Sequence, residues 1–358
     1  MWASFVLFYN LVVGVVLAAG LYSVAAKVGS GGEVPLGRIG LTVFGILVAP
    51  VLGVPVGGVF GIMALLAWSL FLHLAVFAVG IAWLGRGQRV VSLGAGALAV
   101  VLVGVAIDAF LIEPRWLGVT HHEVTSDALT ERLRIVVVSD LQTDGVGDYE
   151  RRALQMALDQ EPDLILMPGD YVQVSTLEAY TEESDRLRSL LQELDFGAPL
   201  GAFAVQGNVD PASHWSRIYD GTRVSAVKTS RHHLTHRGGA VVVEALGFED
   251  SFDVRLSVPP AAGLHVVFGH GPDFSLGDID ADLLIAGHTH GGQVRLPLFG
   301  PPVTFSRIPR DWAAGRTELT RGATLFVSRG VGMERGRAPR LRFLCPPEIV
   351  VIDVVPGR

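Results

Sequence analysis

Residues 1–26 contain no Asp, Glu, Lys or Arg, and residues 39–85 form a run of 47 positions without one. Residues 90–112 are interrupted only by Asp108. A hydrocarbon core about 30 Å thick needs roughly 20 apolar residues per helix, and these runs supply several such lengths. Charged residues make up 18% of the 358-residue chain, against about 25% in an ordinary soluble domain. The shortage is local. Residues 1–112 carry Lys27, Arg38, Arg86 and Arg89 against Glu33 and Asp108, so the other 246 residues hold 24 basic and 33 acidic side chains. Two physically different regions, 1–112 and 113–358, therefore follow one another. A wholly soluble protein, a disordered one and a basic nucleic-acid binder are all excluded. Cys345, the single cysteine, excludes an intrachain disulfide framework and a cysteine zinc cluster.

The first region reads as about four membrane-spanning helices, near 3–26, 39–57, 61–84 and 90–112. The middle pair must turn within Gly53-Val54-Pro55-Val56-Gly57-Gly58, because 47 residues of straight helix would overshoot one bilayer. The first run lacks the basic N-terminus of a signal peptide and is too long for its apolar core. Lys27 and Arg38 flank the first connection, and Arg86 and Arg89 fill the third. The positive-inside bias places both connections in the cytoplasm, so the second region is expected outside it, on a multi-pass cell-membrane protein. His73 and Asp108 are the ionisable residues at membrane depth; neither is assigned a role.

Residues 113–358 read as an α/β domain. Short apolar runs at 134–139 (RIVVVS), 164–168 (LILMP), 201–205 (GAFAV), 240–245 (AVVVEA), 264–268 (LHVVF), 283–286 (LLIA) and 323–327 (ATLFV) predict buried strands. Residues 149–160 and 176–194 have helical spacing. The stretch 294–316 reads as a long loop, and His121-His122 as a membrane-proximal linker. Polar residues recur where strands end. Asp140 follows the first run, Gly169-Asp170 the second, Gly207-Asn208 the third, Gly269-His270 the fifth and Gly287-His288-Thr289-His290 the sixth. In open α/β sheets ligands bind beyond the carboxyl ends of strands, and glycine there lets the backbone turn and clears space.

Aspartates, imidazoles and an amide oxygen, with no thiolate, suit hard or borderline divalent ions such as Mn²⁺, Fe²⁺, Zn²⁺, Ni²⁺ or Co²⁺. The set exceeds what one ion needs, so two divalent metal ions sharing a carboxylate are expected. Such a pair activates a water and clamps the attacking and leaving oxygens of an in-line displacement at phosphorus. No P-loop, dinucleotide-type glycine fingerprint or Gly-x-Ser-x-Gly elbow is present.

The motifs Ser139-Asp140-Leu141-Gln142, Gly169-Asp170, Gly207-Asn208-Val209-Asp210, His270 and Gly287-His288-Thr289-His290-Gly291-Gly292-Gln293 resemble those of the calcineurin-like metallophosphoesterases, in the bacterial branch with N-terminal membrane segments. The resemblance covers about 113–354. It implies a two-sheet β-sandwich flanked by helices. It also implies Asp140, Asp170 and His290, with Gln142, around a first metal, and Asp170 as bridge with Asn208, His270 and His288 around a second. Asp140, Asp170, Asn208, His270, His288 and His290 would then carry catalysis. Two positions depart from the family pattern. Gln142 stands where a histidine ligand is usual, and an amide oxygen favours Mn²⁺ or Mg²⁺ over Zn²⁺. Val209 stands where a histidine protonates the leaving group. A substitute acid would have to come from His214, His232, His233 or His236, each of which also reads as an ordinary surface residue. The chain is thus read as a membrane-anchored phosphoesterase acting on phosphoester, phosphodiester or pyrophosphate bonds, with a lipid-linked phosphate as one substrate. Alternatives are a nucleotide-lipid pyrophosphatase of envelope synthesis and a non-catalytic metal-binding module. Substrate, metal identity and oligomeric state are left open by the sequence.

Overall fold

A computed structural model describes residues 2–357. Contacts divide the chain into two units, Met1–Leu111 with Arg337–Arg340 and Ile112–Gly336 with Leu341–Arg358. In the first unit, helices α1 (Trp2–Gly29), α2 (Leu36–Val48), α3 (Val54–Trp68), α4 (Ala75–Leu84) and α5 (Arg89–Ile107) are apolar almost all round. Three continuous helical runs, Trp2–Gly29, Leu36–Leu84 and Arg89–Arg115, are long and apolar enough to cross a membrane. The middle run is not straight. Gly58 leaves the helical region with φ +58° and ψ −148°, and the chain doubles back there. Ser69 consequently donates to the carbonyl of Ile46 at 2.8 Å, two residues that a straight helix would hold some 34 Å apart. The reversal lies inside the Gly53–Gly58 stretch and leaves two limbs, each with the roughly 20 residues of a crossing. Tyr9 and Ser69 share a hydrogen bond of 2.6 Å, and His73 bonds the Trp68 carbonyl at 3.1 Å; both are packed helix residues.

The second unit contains strands β1 (Gly118–Ser126), β2 (Leu133–Val137), β3 (Leu164–Met167), β4 (Ala202–Ala204), β5 (Val224–Ala226), β6 (Ser230–His236), β7 (Gly239–Ala245), β8 (Ser257–Val258), β9 (Leu264–Phe268), β10 (Asp278–Ile279), β11 (Leu283–Ala286), β12 (Gly315–Glu318), β13 (Thr324–Val327) and β14 (Glu348–Pro356). One mixed sheet has the order β1-β14-β2-β3-β4-β5 and the other β12-β13-β11-β9-β7-β6, while β8 and β10 pair separately. Strands β2 to β5 run parallel, as do β7, β9, β11 and β13.

The two sheets pack face to face. Successive side chains of a strand point to opposite faces. Ile135 and Val137 of β2 therefore join Val266, Phe268 and Ile285 in the layer between the sheets. Val136 and Val138 point the other way, against Ala153, Leu154 and Leu187 of helices α6 (Asp148–Leu158) and α7 (Leu177–Glu193). The outer face of the second sheet buries Val267, Leu284 and Leu325 beneath Phe274 and Ile308. Burial on both faces explains why these strands read as unbroken apolar runs.

One expectation is corrected. His121 and His122 are not linker; they sit in β1, paired in parallel with Val351 and Ile352 of β14. Polar β6 (SRHHLTH) and β1 (GVTHHEVTS) escape a search for apolar runs because both are edge strands, with one side facing solvent.

Candidate metal centre

Parallel strands bring their carboxyl ends to one rim. In the first sheet β2, β3 and β4 are neighbours, and the loops that follow them carry Asp140, Asp170 and Asn208. In the second sheet β9 and β11 are neighbours, followed by His270 and by His288 and His290. One sheet supplies the oxygen donors and the other the imidazoles, and the site forms where the two rims meet. The loops are fastened to one another by backbone bonds. Asp140 N donates to Gly169 O at 3.1 Å, Gln142 N to Asp170 O at 2.9 Å, Gly287 N to His270 O at 3.0 Å, and Gly332 N to Asp140 O at 2.7 Å.

This fastening requires unusual backbone. Asp140, Gln142, Asp170, His288 and His290 all have positive φ, from 34° to 68°. Such a conformation costs a non-glycine residue about 1–2 kcal/mol, and its concentration in one place is typical of functional sites. Glycine is needed where loops touch. A Cβ on Gly207 would overlap the Asp170 carboxylate, and one on Gly287 would overlap the Ser139 hydroxyl and the Asp140 carboxylate.

The geometry at the rim could hold a cation. Ligand atoms of Asp140, Asp170 and His270 lie within 4.8 Å of one another. His270 gives its Nδ1–H to the Pro168 carbonyl at 2.7 Å, which leaves Nε2 with its lone pair. His288 gives its Nε2–H to the Phe305 carbonyl at 3.2 Å, which leaves Nδ1 likewise. Those two nitrogens are 3.2 Å apart, and Asn208 Oδ1 lies 2.9 Å from the first and 2.7 Å from the second. Three electron-pair donors thus crowd together with no proton of their own to share. Asp170 Oδ2 stands 3.5 Å from His270 Nε2, and its Oδ1 accepts from Val209 N at 2.9 Å.

Deeper in the rim, Gln142 Oε1 and His290 Nε2 are buried and have no hydrogen-bond partner among the described residues. His290 Nε2 lies 3.8 Å from Asp140 Oδ1. Leaving buried polar atoms unsatisfied costs about 1–3 kcal/mol each, and a divalent cation removes that cost. The residues present therefore fit divalent metal. Gln142, Asp140, Asp170 and His290 face the buried part, whereas Asn208 is exposed and His288 half-buried, so the centre opens to solvent on the Asn208 side.

Burial sets the charge state without metal. It pushes the Asp140 carboxyl up to about 7 and Asp170 well above the usual carboxylate range, with the Asp210 and Asp140 carboxylates adding to the effect. Burial also holds His270 and His290 well below the ordinary imidazole value and lowers His288. All three imidazoles are thus neutral, the form that binds metal.

Several supporting residues carry no metal-ligand signature in the sequence. Asp210 accepts from Asp170 N at 2.8 Å, Gly207 N at 2.9 Å and Tyr171 N at 2.9 Å, so it ties the Asp170 and Asn208 loops together. Its spacing within Gly-Asn-x-Asp is the signal that marks it. Arg342 is fully buried and donates to the carbonyls of Arg329, Gly330, Gly332 and Cys345, holding the turn that closes on Asp140. Nothing in its arginine-rich surroundings distinguishes it. Glu334 and Gln173 bracket the Gln142 amide and are equally silent.

Three of the four histidines considered as substitute acids are engaged elsewhere. His214 bonds Ser213, His232 packs on Phe203, His236 bonds the Arg132 carbonyl, and His233 lies exposed on edge strand β6. Val209 offers only its backbone.

Residues 133–292 match the family model described as calcineurin-like phosphoesterase. Phosphodiesterase YaeI of Escherichia coli (strain K12) is 30% identical over 227 residues, 57% of this chain and 74% of that protein. The uncharacterized metallophosphoesterase YkuE of Bacillus subtilis (strain 168) is 27% identical over 267 residues, covering 68% and 87%. The UDP-2,3-diacylglucosamine pyrophosphatase LpxG of Chlamydia muridarum (strain MoPn / Nigg) is 25% identical over 284 residues, covering 62% and 83%.

Proposed function

The chain belongs to the calcineurin-like phosphoesterase family and is a metal-dependent phosphoester hydrolase; from that premise we propose that it is a membrane-anchored, dinuclear enzyme that hydrolyses phosphodiester or pyrophosphate bonds of lipid-linked substrates. The reading is carried by the convergence of His270 Nε2, His288 Nδ1 and Asn208 Oδ1 on one point beside Asp170, next to the partnerless Gln142 Oε1 and His290 Nε2. Asp140, Gln142, Asp170 and His290 would hold one ion, and Asp170, Asn208, His270 and His288 the other. When bound, the ions supply an activated water and neutralise charge on the phosphoryl oxygens.

The chain's own residues define the rest. The imidazoles stay neutral because burial disfavours their charged form, and the Pro168 and Phe305 carbonyls fix which nitrogen faces the centre. Asn208, exposed at the rim, leaves that side of the centre open to an incoming phosphate. Val209 cannot donate a proton, so the leaving oxygen must depart as an anion or take its proton from water. A phosphate leaving group, whose second ionisation is about 6, tolerates this; an alkoxide does not. The missing acid thus favours pyrophosphate bonds and activated diesters, and a relative named as a UDP-2,3-diacylglucosamine pyrophosphatase supports the same direction.

The three long apolar runs would anchor the enzyme. The basic residues Lys27, Arg38, Arg86 and Arg89 favour catalysis outside the cytoplasm; a reporter fused after Arg358 reads out that sidedness directly. The activity is tested with the full chain in detergent on bis(4-nitrophenyl) phosphate with Mn²⁺. Turnover that vanishes in Asp170→Ala supports the enzyme. No turnover in either, with metal still bound by the unaltered chain, would make the protein a metal-binding module instead.

A further inference from the structure

The loop 294–316 borders the metal centre, since the Phe305 carbonyl accepts from His288 at 3.2 Å. It contains a tight reversal in which Leu296 and Gly300 pair antiparallel, and the tip presents Leu296, Leu298 and Phe299 to solvent. Leu298 is fully exposed and has φ +66°, a conformation that favours glycine. An exposed, strained leucine at a tip returns nothing to the fold by itself. The loop's charge is also out of character. It holds four arginines against one aspartate, in a region with 24 basic and 33 acidic side chains. Arg310 lies over the Phe299 ring at 4.9 Å, so a cation flanks the apolar tip.

A second observation gives this surface its place on the chain. Val294, at the base of the loop, pairs with Phe343, and the next residue, Leu344, is itself exposed. Leu344 N donates to Glu113 Oε2 at 2.8 Å, and Cys345 N donates to Oε1 of the same carboxylate. Glu113 is buried and lies, like Leu344, in the second unit. The segment paired with the base of the apolar loop is therefore fastened, through one carboxylate, to the residues with which that unit begins.

We propose that the Leu296–Phe299 tip, with Leu344 and the flanking Arg295, Arg307 and Arg310, docks into the interface of an anionic bilayer and holds the metal centre against lipid headgroup phosphates. Apolar side chains that enter the headgroup boundary, with arginines beside them for anionic lipid, form the usual chemistry of interfacial binding. The proposal rests on the reading that the long apolar runs cross a membrane, and the test separates the two.

The full chain is placed in phosphatidylcholine–phosphatidylglycerol nanodiscs, with a polarity-sensitive dye on Leu298→Cys, on Val100→Cys in α5, or on Glu131→Cys, which lies ahead of the amino end of β2, away from the rim. Cys345 is buried and gives only background, measured on the unaltered chain. Doxyl lipid should quench the dyes at 298 and 100 several-fold more than that at 131, and quenching at 298 should fall in pure phosphatidylcholine. Quenching at 100 but not at 298 would overturn the docking and leave the spanning helices standing. Protection of 298 from aqueous iodide without lipid quenching would mean that a protein covers the tip, and would also overturn it. No quenching at 100 would remove the spanning helices and the docking with them. Equal quenching at 298 in both lipid mixtures would overturn the anionic preference.

Discussion

Gln142 donates its Nε2 to Glu334 Oε2 at 3.1 Å and to Gln173 Oε1 at 3.1 Å, and this fixes which way its amide faces. A carboxylate accepts and cannot donate, so the amide nitrogen must lie toward Glu334, and the oxygen is left buried without a partner. Glu334 thereby fixes the facing of a residue that could point either way and leaves its amide oxygen free to accept. Gln173 Nε2 bonds the other Glu334 oxygen at 2.5 Å, and Arg335 is tied to the Gln142 carbonyl at 2.9 Å.

Glu334→Gln is therefore expected to weaken Mn²⁺ binding about 10- to 100-fold, the usual effect of losing a partner of a metal ligand, without changing the fold. Gln142→His should tighten Zn²⁺ more than Mn²⁺, because imidazole is the softer donor. Calorimetric titration of the apo full chain with each metal checks both; unchanged affinity in Glu334→Gln would remove the orienting role.

Val209→His tests the missing acid. A general acid contributes about 10²–10⁴-fold, and only where the leaving group needs a proton. The variant should gain at least tenfold on an alkyl phosphodiester and little on a 4-nitrophenyl ester. A uniform change across leaving groups would show that residue 209 acts through shape alone.

Asp210→Asn replaces one acceptor oxygen with a donor that faces backbone N–H groups. At least one amide among Asp170, Gly207 and Tyr171 then loses its partner, at about 1–3 kcal/mol. A fall of several degrees in melting temperature is expected for a domain of this size, together with weakened metal binding. Thermal denaturation with and without Mn²⁺ reads out both effects.

Metal binding should depend on pH in a defined sense. Asp140, held up near 7 by burial, must lose its proton to bind a cation, so affinity falls as pH drops below 7 and binding releases protons. Without metal the sign of stability is opposite. The folded carboxyl binds its proton more tightly than the unfolded one, so its stabilising contribution is lost as pH rises toward and through 7. His270, His288 and His290, with lowered folded values, contribute a stability that is complete once the pH exceeds the ordinary imidazole value of about 6.5. Between about 6.5 and 8 the aspartate effect alone remains, so the chain in chelator should melt lower at pH 8, and the metal-loaded chain should not. Melting curves in the two states check this.

The sequence by itself determined the division into a charge-poor helical region and a charged α/β domain. Hydrophobic burial and the loss of solvation for buried charge act on composition directly, so both regions could be read from it. It also determined the seven apolar strands and the Asp, Asn and His residues that follow them, because a strand buried on both faces leaves an apolar run that ends where a polar side chain begins. The long strand β14 was equally apolar (EIVVIDVVP), yet its place between β1, to which it runs parallel, and β2, to which it runs antiparallel, depends on pairing across more than 200 residues of chain, which no local pattern encodes. Edge strands β1 and β6 were hidden because solvent tolerates polar residues on their free side. Tertiary structure alone decided that one sheet offers carboxylates and the other imidazoles. It alone decided that Asp210 serves backbone amides rather than metal, that buried Arg342 braces the turn over Asp140, and that Glu334 orients Gln142. Each of these roles is a matter of which atoms come within about 3 Å, and that is set by packing rather than by residue type.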